Sequence, residues 1–488
     1  MTRALFAGLW ILAALLTAIV VRAARSERHV EPITPPAAFE VSAQATARLG
    51  DAIRIPTVWQ GASTSSSAFE QLHRHLEASF PRVHRELSVD TLEGFSLLYT
   101  WKGRDPKLKP LLLMAHQDVV PVSPGTEGDW THPPFSGAVE DGFVYGRGTL
   151  DIKAALMAEL EAVEALLARG FSPERTVMLS FGHDEETGGL GAAAVARELE
   201  KRGVRLHLVL DEGSSIVEGL VPGVSEAIAV IGIAEKGYVS LELSAKGDGG
   251  HSSMPPPHTA IGVLAAAVAR LEDNPFPSNR KYAGAFFAEL APAMPFTMRL
   301  VFRNLWLFGP VVEPVLARTR PMNAAIRTTT AVTMFAAGVK DNVLPQDAHA
   351  VANFRIIPGE TIASTIARVR SIIDDPRIDV RQVVGGSIAN EPSPISDVSS
   401  ETYRRLRTTI RQVAGDGGLV VAPYLVLGAT DARHFARISD STFRFVMNLA
   451  RPDDLPRIHG TNERIAVASY ERMIRFYAQL IRNVAGPA

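Results

Sequence analysis

The sequence contains no cysteine. That excludes disulfides, thiolate metal ligands and a cysteine nucleophile, and it leaves the redox compartment open. An excess of charge is also missing: 50 Lys and Arg stand against 52 Asp and Glu, for a formal net charge of -2. There is no basic footprint for nucleic acid, so no nucleic-acid partner is expected. Internal repeats are absent. Long apolar runs are limited to one, Ala4 to Val21, "ALFAGLWILAALLTAIVV", which carries no charge. At 1.5 Å per residue this run reaches about 27 Å, near the thickness of a bilayer's hydrocarbon layer. It is apolar all round rather than along one stripe, unlike the helix of a soluble core.

Two readings of the run stay open. It is a signal anchor that is retained, or a signal peptide cut near Ala23 or Ala24. Its length favours an anchor. Arg22, Arg25 and Arg28 follow it, and positive-inside logic would place that flank in the cytoplasm. The protein is therefore expected to be membrane-anchored by one N-terminal helix, or exported to a periplasmic or secreted location.

What remains is a globular chain, with 46% apolar and 21% charged residues over a length that suits two or three domains. Residues 29–44 are Pro-rich and read as a linker, and "GASTSSS" at 61–67 as a surface loop. Beyond them, apolar runs end in polar clusters. "LLLMA" at 111–115 runs into His116, "VMLSF" at 177–181 into His183–Glu186, and "LHLVL" at 206–210 into Asp211. Helical patterns lie between, at 152–169 and 192–202. This alternation predicts an α/β fold with a mixed, mostly parallel sheet flanked by helices. Functional groups in such sheets gather beyond the carboxyl ends of the strands, and here three candidate strands end in metal-ligating residue types.

From about residue 234 the pattern changes to strands that alternate, "GYVSLELSAKG" and "HAVANFRIIPG", each followed by a helix. The expected division is 1–28 for the apolar segment and 29–44 for the linker. A catalytic domain then spans 45–233, an inserted α+β lid or dimerisation domain 234–390, and the rest of the catalytic domain 391–488. The aromatic, Pro-rich stretch 276–325 is read as extra core for the insert, in preference to an acyl-chain or membrane contact.

The chemistry concentrates in a few places. His116 and Asp118 lie two apart at a strand end, where Asp118 can brace the imidazole only if the chain bends. Asp151 follows the glycine turn "GRGTL" and precedes a helix, so it reads as an N-cap, a ligand, or both. "FGHDEETGG" and "LDEGSS" add Glu185, Glu186 and Asp211. Such a group of carboxylates repels itself unless cations neutralise it. His and carboxylate ligands without Cys suit Zn²⁺, with Co²⁺ or Mn²⁺ as substitutes.

The motifs "HQDVVPV", "GRGTLDIK", "DEETGG", "LDEG", "GHSSMPP", "NVLPQDAHAVANFRIIPG" and "RIHGTNE" occur in this order. In this combination the chain resembles, over about residues 45–485, the di-zinc metallopeptidases that include aminoacylase, glutamate carboxypeptidase and carboxypeptidase S. It is most similar to the branch of carboxypeptidase S and N-fatty-acyl-amino-acid synthase/hydrolase. The resemblance implies two zinc ions. His116 and Asp211 would bind one, Glu186 and His459 the other, and Asp151 would bridge them. Asp118 would brace His116. Glu185 would be the general base that moves a proton from water to the leaving nitrogen. His251 would support the oxyanion from a lid, supplied by the partner subunit in dimeric members. Asn342 and Arg355 would hold the substrate carboxylate, and Gly428 would contact substrate through its backbone. The alternative for Arg355 is a sheet-edge ion pair. Many members carry a second Asp after the bridging one; here it is Ile152.

The implied activity is hydrolysis of an amide bond beside a free carboxylate, in an N-acyl amino acid or a short peptide. A strict carboxypeptidase or dipeptidase, and a non-catalytic binding protein on the same fold, are the alternatives. A homodimer through the insert is implied by resemblance alone.

Overall fold

The computed structural model describes residues 2–25, 33–61, 64–221, 223–384, 388–415 and 418–487. Part of the linker (29–32) and of the Ser-rich loop (62–63) lies outside the described residues. The main body is an α/β unit around a sheet of ten strands among the described residues. Its centre runs Val177–Gly182, Leu111–His116, Leu208–Asp211, Thr442–Arg444, and these neighbours are parallel. Antiparallel strands Ser88–Leu92 and Ser96–Trp101 extend one side. On the other side lies Ile228–Glu235, with Val420–Val426 parallel to it.

Why these segments are strands follows from their sequence. Leu111–His116 and Val177–Gly182 are buried at every position, so both faces are covered and the runs are mostly apolar rather than alternating. The cover on one face is the helix Lys153–Ala168, itself buried over most of its length, with the C-terminal helix Val467–Ala485 packed against it. The chain therefore returns at its end to complete the core that its first half begins.

The insert is a second unit. Strands Gly237–Lys246 and Asp347–Ile356 pair antiparallel, with Thr329–Ala337 and Ile378–Gln382 at the edges. Burial alternates along the central pair, as the period-2 pattern predicts for a sheet with one covered face. Helices Ala260–Asp273 and Ile362–Ile373 cover it through Val263, Leu264, Leu271 and Val369. Thr361 and Ser364 form a reciprocal capping box at the start of the second helix.

The stretch 276–325 departs from expectation. Its first helix, Lys281–Leu290, places Phe286, Phe287 and Leu290 against Ile228, Val230, Val420 and Ala422 of the main sheet, not against the small sheet. The following helices Phe296–Phe302 and Leu305–Leu316 are only partly buried: Gly309 alone is fully buried in the second and no residue in the first, while Met298, Phe302 and Leu316 pack partly buried against the same cluster. Local apolarity signalled burial here, but Phe296, Trp306, Val311 and Val315 are exposed.

Where the insert leaves the main sheet, Glu235 ties three segments together. Its Oε2 accepts hydrogen bonds from the Thr430 N–H at 2.9 Å, the Thr430 hydroxyl at 3.0 Å and Arg444 Nε at 3.2 Å. Arg444 and Glu235 are both fully buried. Removing one partner of such a pair leaves an uncompensated charge. Arg444→Met is therefore expected to lower the unfolding free energy by about 3–5 kcal/mol. Urea unfolding measures this, and a shift no larger than that of a surface variant would refute it.

Candidate active site and metal centre

Three parallel strands deliver the site. Leu111–His116 ends in His116, Val177–Gly182 leads into the acidic turn, and Leu208–Asp211 leads into Glu212. The chain bends after His116, so Asp118 turns back. Its backbone oxygen lies 2.9 Å from His116 Nδ1 and its Oδ1 lies 3.3 Å away. The same carboxylate accepts the backbone N–H groups of Glu185 at 3.2 Å and Glu186 at 3.1 Å. Asp118 thus orients an imidazole and the glutamate turn at once.

The acids of "DEETGG" have separate tasks. Asp184 accepts the N–H groups of Leu190 and Gly191, each at 2.9 Å, at the start of the helix Leu190–Lys201. Glu185 and Glu186 face the cleft instead. The two glycines that follow have positive φ, and a Cβ on Gly189 would sit 2.1 Å from Asp431 Oδ1, so the turn needs glycine there.

Asp151 stands at the centre. Its Oδ1 is 3.0 Å from His116 Nε2 and its Oδ2 is 3.0 Å from His459 Nε2. It caps no helix: the next helix starts at Lys153, and Ile152 precedes it with no side-chain cap. The Asp151–Ile152 peptide bond is cis. His459 also lies 3.2 Å from Glu186 Oε2. Ligand atoms of His116, Asp151 and Glu186 lie within 4.8 Å of one another, and so do those of His116, Glu185 and Glu212.

Asp211, expected as a ligand, lies outside both of these three-residue groups. It is buried, and its Oδ1 accepts the Glu212 N–H at 2.9 Å and its Oδ2 the Ala432 N–H at 2.7 Å. Glu212 stands in the cluster instead, with Oε1 3.6 Å from His116 Nε2. The strand ends at Asp211, and the alternation of side chains sends these two neighbours to opposite sides.

Glu463 is a second residue that sequence reasoning missed. It is fully buried, and its Oε1 accepts the N–H groups of Gly148 at 2.9 Å, Leu150 at 2.7 Å and Asp151 at 3.2 Å. Its Oε2 accepts Arg147 Nη1 at 2.6 Å. Arg147 Nη2 also donates to the backbone oxygen of His459 at 3.2 Å. This pair binds the loop carrying Asp151 to the loop carrying His459. The only signal was a buriable charge beside the "RIHGTN" motif.

The site calls for cations. Burial opposes ionisation of Glu185 and Glu212; Glu212 adds to it for Glu185, and Asp151 for Glu212, and both pKa values are held well above the usual range. His459 is pushed up to about 10 by its hydrogen bonds to Asp151 and Glu186. Burial disfavours the charged form of His116, but Asp118 and Asp151 outweigh it and hold its pKa well above normal. Glu186 Oε1 is buried with no hydrogen-bond partner. An orphaned carboxylate oxygen among imidazoles and acids fits a metal ligand.

The cleft has two lobes that share Asp151, Glu212 and Tyr424. One, of about 570 Å³, is lined by Glu185, Tyr238, Arg355, Asn390, Gly428 and Arg433. Among the described residues Arg355 has no ion-pair partner; its guanidinium lies 4.7 Å from the centre of the Tyr238 ring. A Cβ on Gly428 would meet nothing within 4 Å. The other lobe, of about 450 Å³, is mostly apolar, with Val217, Val230, Phe286, Met322 and Val446 in its wall. His251 and Asn342 line neither lobe. They lie together on an exposed two-stranded ribbon, where the Ser252 N–H donates to the Asn342 backbone oxygen at 3.2 Å.

A family model described as peptidase family M20/M25/M40 matches residues 112–483. Probable carboxypeptidase S-like 2 of Dictyostelium discoideum is 39% identical over 465 residues, covering 94% of this chain and 88% of that protein. The N-fatty-acyl-amino acid synthase/hydrolase PM20D1 of Homo sapiens is 39% identical over 468 residues, covering 94% and 92%. Among solved structures, the M20 family metallo-carboxypeptidase Sso-CP2 of Sulfolobus solfataricus aligns with a TM-score of 0.64 at 19% identity, over 90% of this chain and 99% of that one. At that identity the likeness concerns the fold.

Two outcomes are expected. Glu212→Gln should lose bound zinc, measured by atomic emission after dialysis, whereas Asp211→Asn should keep zinc and melt earlier; the reverse pattern would restore Asp211 as the ligand. Zinc uptake at neutral pH should release protons, because His459 holds one up to about pH 10 in the metal-free site. Apparent zinc affinity should then weaken as pH falls, and a pH-independent affinity would contradict this ligand set.

Proposed function

This chain belongs to peptidase family M20/M25/M40, and from that premise we propose a zinc-dependent hydrolase of an amide bond next to a free carboxylate. The observation that carries the reading is the two-lobed cleft with Asp151 at its waist. His116 and Glu212 would hold one zinc ion, Glu186 and His459 a second, and Asp151 would lie between them. When bound, zinc supplies Lewis acidity that polarises a carbonyl and makes water nucleophilic at neutral pH.

The chain's own residues do the rest. Arg355 offers a planar fork of donors to the substrate carboxylate, with Arg433 adding positive charge beside it. The missing side chain at Gly428 leaves space for substrate to approach the backbone. Glu185 lines the polar lobe beside Asp151 and Glu212. Its raised pKa suits a carboxylate that accepts a proton from water and hands it to the leaving nitrogen. The apolar lobe would take the group on the carbonyl side of the scissile bond and exclude water from it.

That division favours an N-acyl amino acid with an apolar acyl group over a polar dipeptide. His251 and Asn342 would complete the site of a second copy, since both are exposed and lie away from their own cleft. The edge strand Thr329–Ala337, with Met334 and Phe335 exposed, offers a pairing edge for that copy. Sedimentation of a fully active monomer would remove this part of the reading.

Glu185→Gln is expected to retain zinc and lose roughly 10²–10⁴ in kcat, the usual range for a general base. A panel of N-acyl amino acids of increasing chain length and of dipeptides should show kcat/KM rising with acyl length. Replacing Met322 with Trp, which shortens the apolar lobe, should reverse that rise while leaving acetyl substrates unaffected. Preference for polar dipeptides would favour the dipeptidase reading, and an inactive wild type that binds ligands would favour the binding protein.

A further inference from the structure

Residues 296–316 carry an exposed apolar surface beside the N-terminal helix. The N-terminal helix Thr2–Ala24 is, among the described residues, the one helix long and apolar enough to cross a membrane. Most of it stands clear of the protein. Its last turns do not: Ile19 is 4% exposed and Ala23 0%. They pack against the helix Phe296–Phe302, and the side-chain amide of Asn304 donates to the Ile19 backbone oxygen at 3.2 Å. Asn304 thereby joins the end of the apolar helix to the insert. A signal-peptidase cut near Ala23 or Ala24 would fall in this packed turn.

The helix Leu305–Leu316 continues from that joint. Trp306 is 58% exposed, Val311 71% and Val315 57%, and Phe296 on the preceding helix is 47% exposed. Three charged residues lie between Ala293 and Ala317, and all three turn back to the protein. Arg299 donates to the Met294 backbone oxygen at 3.2 Å, Arg303 to that of Ala288 at 3.3 Å, and Glu313 pairs with Arg327 at 3.5 Å. The outward surface is left apolar, with a tryptophan at its start. Exposed apolar residues concentrated in one segment in this way mark a contact surface.

We propose that the face formed by Phe296, Trp306, Val311 and Val315 docks into the interfacial layer of the bilayer that the N-terminal helix enters. A retained spanning helix has its last turn at the edge of the hydrocarbon layer, and the 296–316 face is fixed to that turn. A 12-residue helix is about 18 Å long and can lie in the plane of the interface, its apolar side among the acyl chains. Tryptophan at the level of the headgroups is the usual aromatic anchor. The insert then touches lipid on one side. On the other, Phe286, Pro321 and Met322 from its flanking segments line the apolar lobe of the cleft.

The absence of cysteine makes the test direct. A single cysteine at Val311 accepts one NBD fluorophore in the full-length chain, reconstituted in 3:1 phosphatidylcholine–phosphatidylglycerol vesicles. A second labelled variant at Val339, 95% exposed on a turn of the small sheet, reports on water. Mass spectrometry verifies that the N-terminal helix is present. The Val311 probe is expected to be quenched by doxyl-labelled lipid and shielded from aqueous iodide, with the Val339 probe showing the opposite. Equal iodide quenching at both positions overturns the proposal. Shielding from both quenchers also overturns it, since a second copy or another protein then covers the face. If the Val311→Cys protein does not fold, Val315→Cys reads the same surface. None of these outcomes depends on hydrolytic activity, so failure here leaves the amide-hydrolase reading untouched.

Discussion

The carboxylate of Asp151, held between two imidazoles, is the constraint that the rest of the structure serves. One oxygen faces His116 and the other faces His459, each at 3.0 Å. Those histidines come from the first parallel strand of the site and from a loop near the end of the chain. Bringing them together requires the chain to leave the main body, build the insert, and return. The return is secured by a buried pair, Arg147 with Glu463, which grips the backbone of the Asp151 loop through three N–H groups. Buried charges are costly unless paired and hydrogen-bonded, and here both carboxylate oxygens of Glu463 and both terminal nitrogens of Arg147 are engaged.

A concentration of acids around that point is tolerated because their work is divided. Asp118 takes up the N–H groups of the glutamate turn, Asp184 caps a helix, and Asp211 accepts two backbone N–H groups. These three spend their charge on the protein's own backbone. Glu185, Glu186, Glu212 and Asp151 are left facing the cleft, beside the imidazoles of His116 and His459.

Two lobes that share Asp151 give the cleft one polar and one apolar side. The cationic lobe comes from the insert's central strand and the loop at 428–433; the apolar lobe comes from the main sheet and the helices at 281–326. The same helices carry an outer apolar face beside the N-terminal helix. The segment between the small sheet's strands therefore serves the cleft and the surface, and adds little to the insert's own core.

Much of this was legible in the sequence. Apolar runs ending in His116, in the 183–186 turn and near Asp211 predicted parallel strands with functional groups at their carboxyl ends, because a sheet covered on both faces demands unbroken apolarity. Period-2 alternation separated the insert's exposed-face strands from them. The residue types alone excluded thiolate chemistry and pointed to hard, nitrogen and oxygen metal ligands. Other decisions needed the fold. Whether Asp211 or Glu212 enters the cluster depends on where the strand stops, since adjacent side chains point to opposite faces. Glu463 matters because a loop 312 residues away presents its N–H groups to it. The 296–316 helices look like core by composition, yet in the fold Trp306, Val311 and Val315 stay exposed. The sequence by itself determined which chemistry was available, because residue type and local period are local properties. Which acid meets which histidine, and which apolar face stays uncovered, was decided by tertiary structure, because both are contacts between segments far apart in the chain.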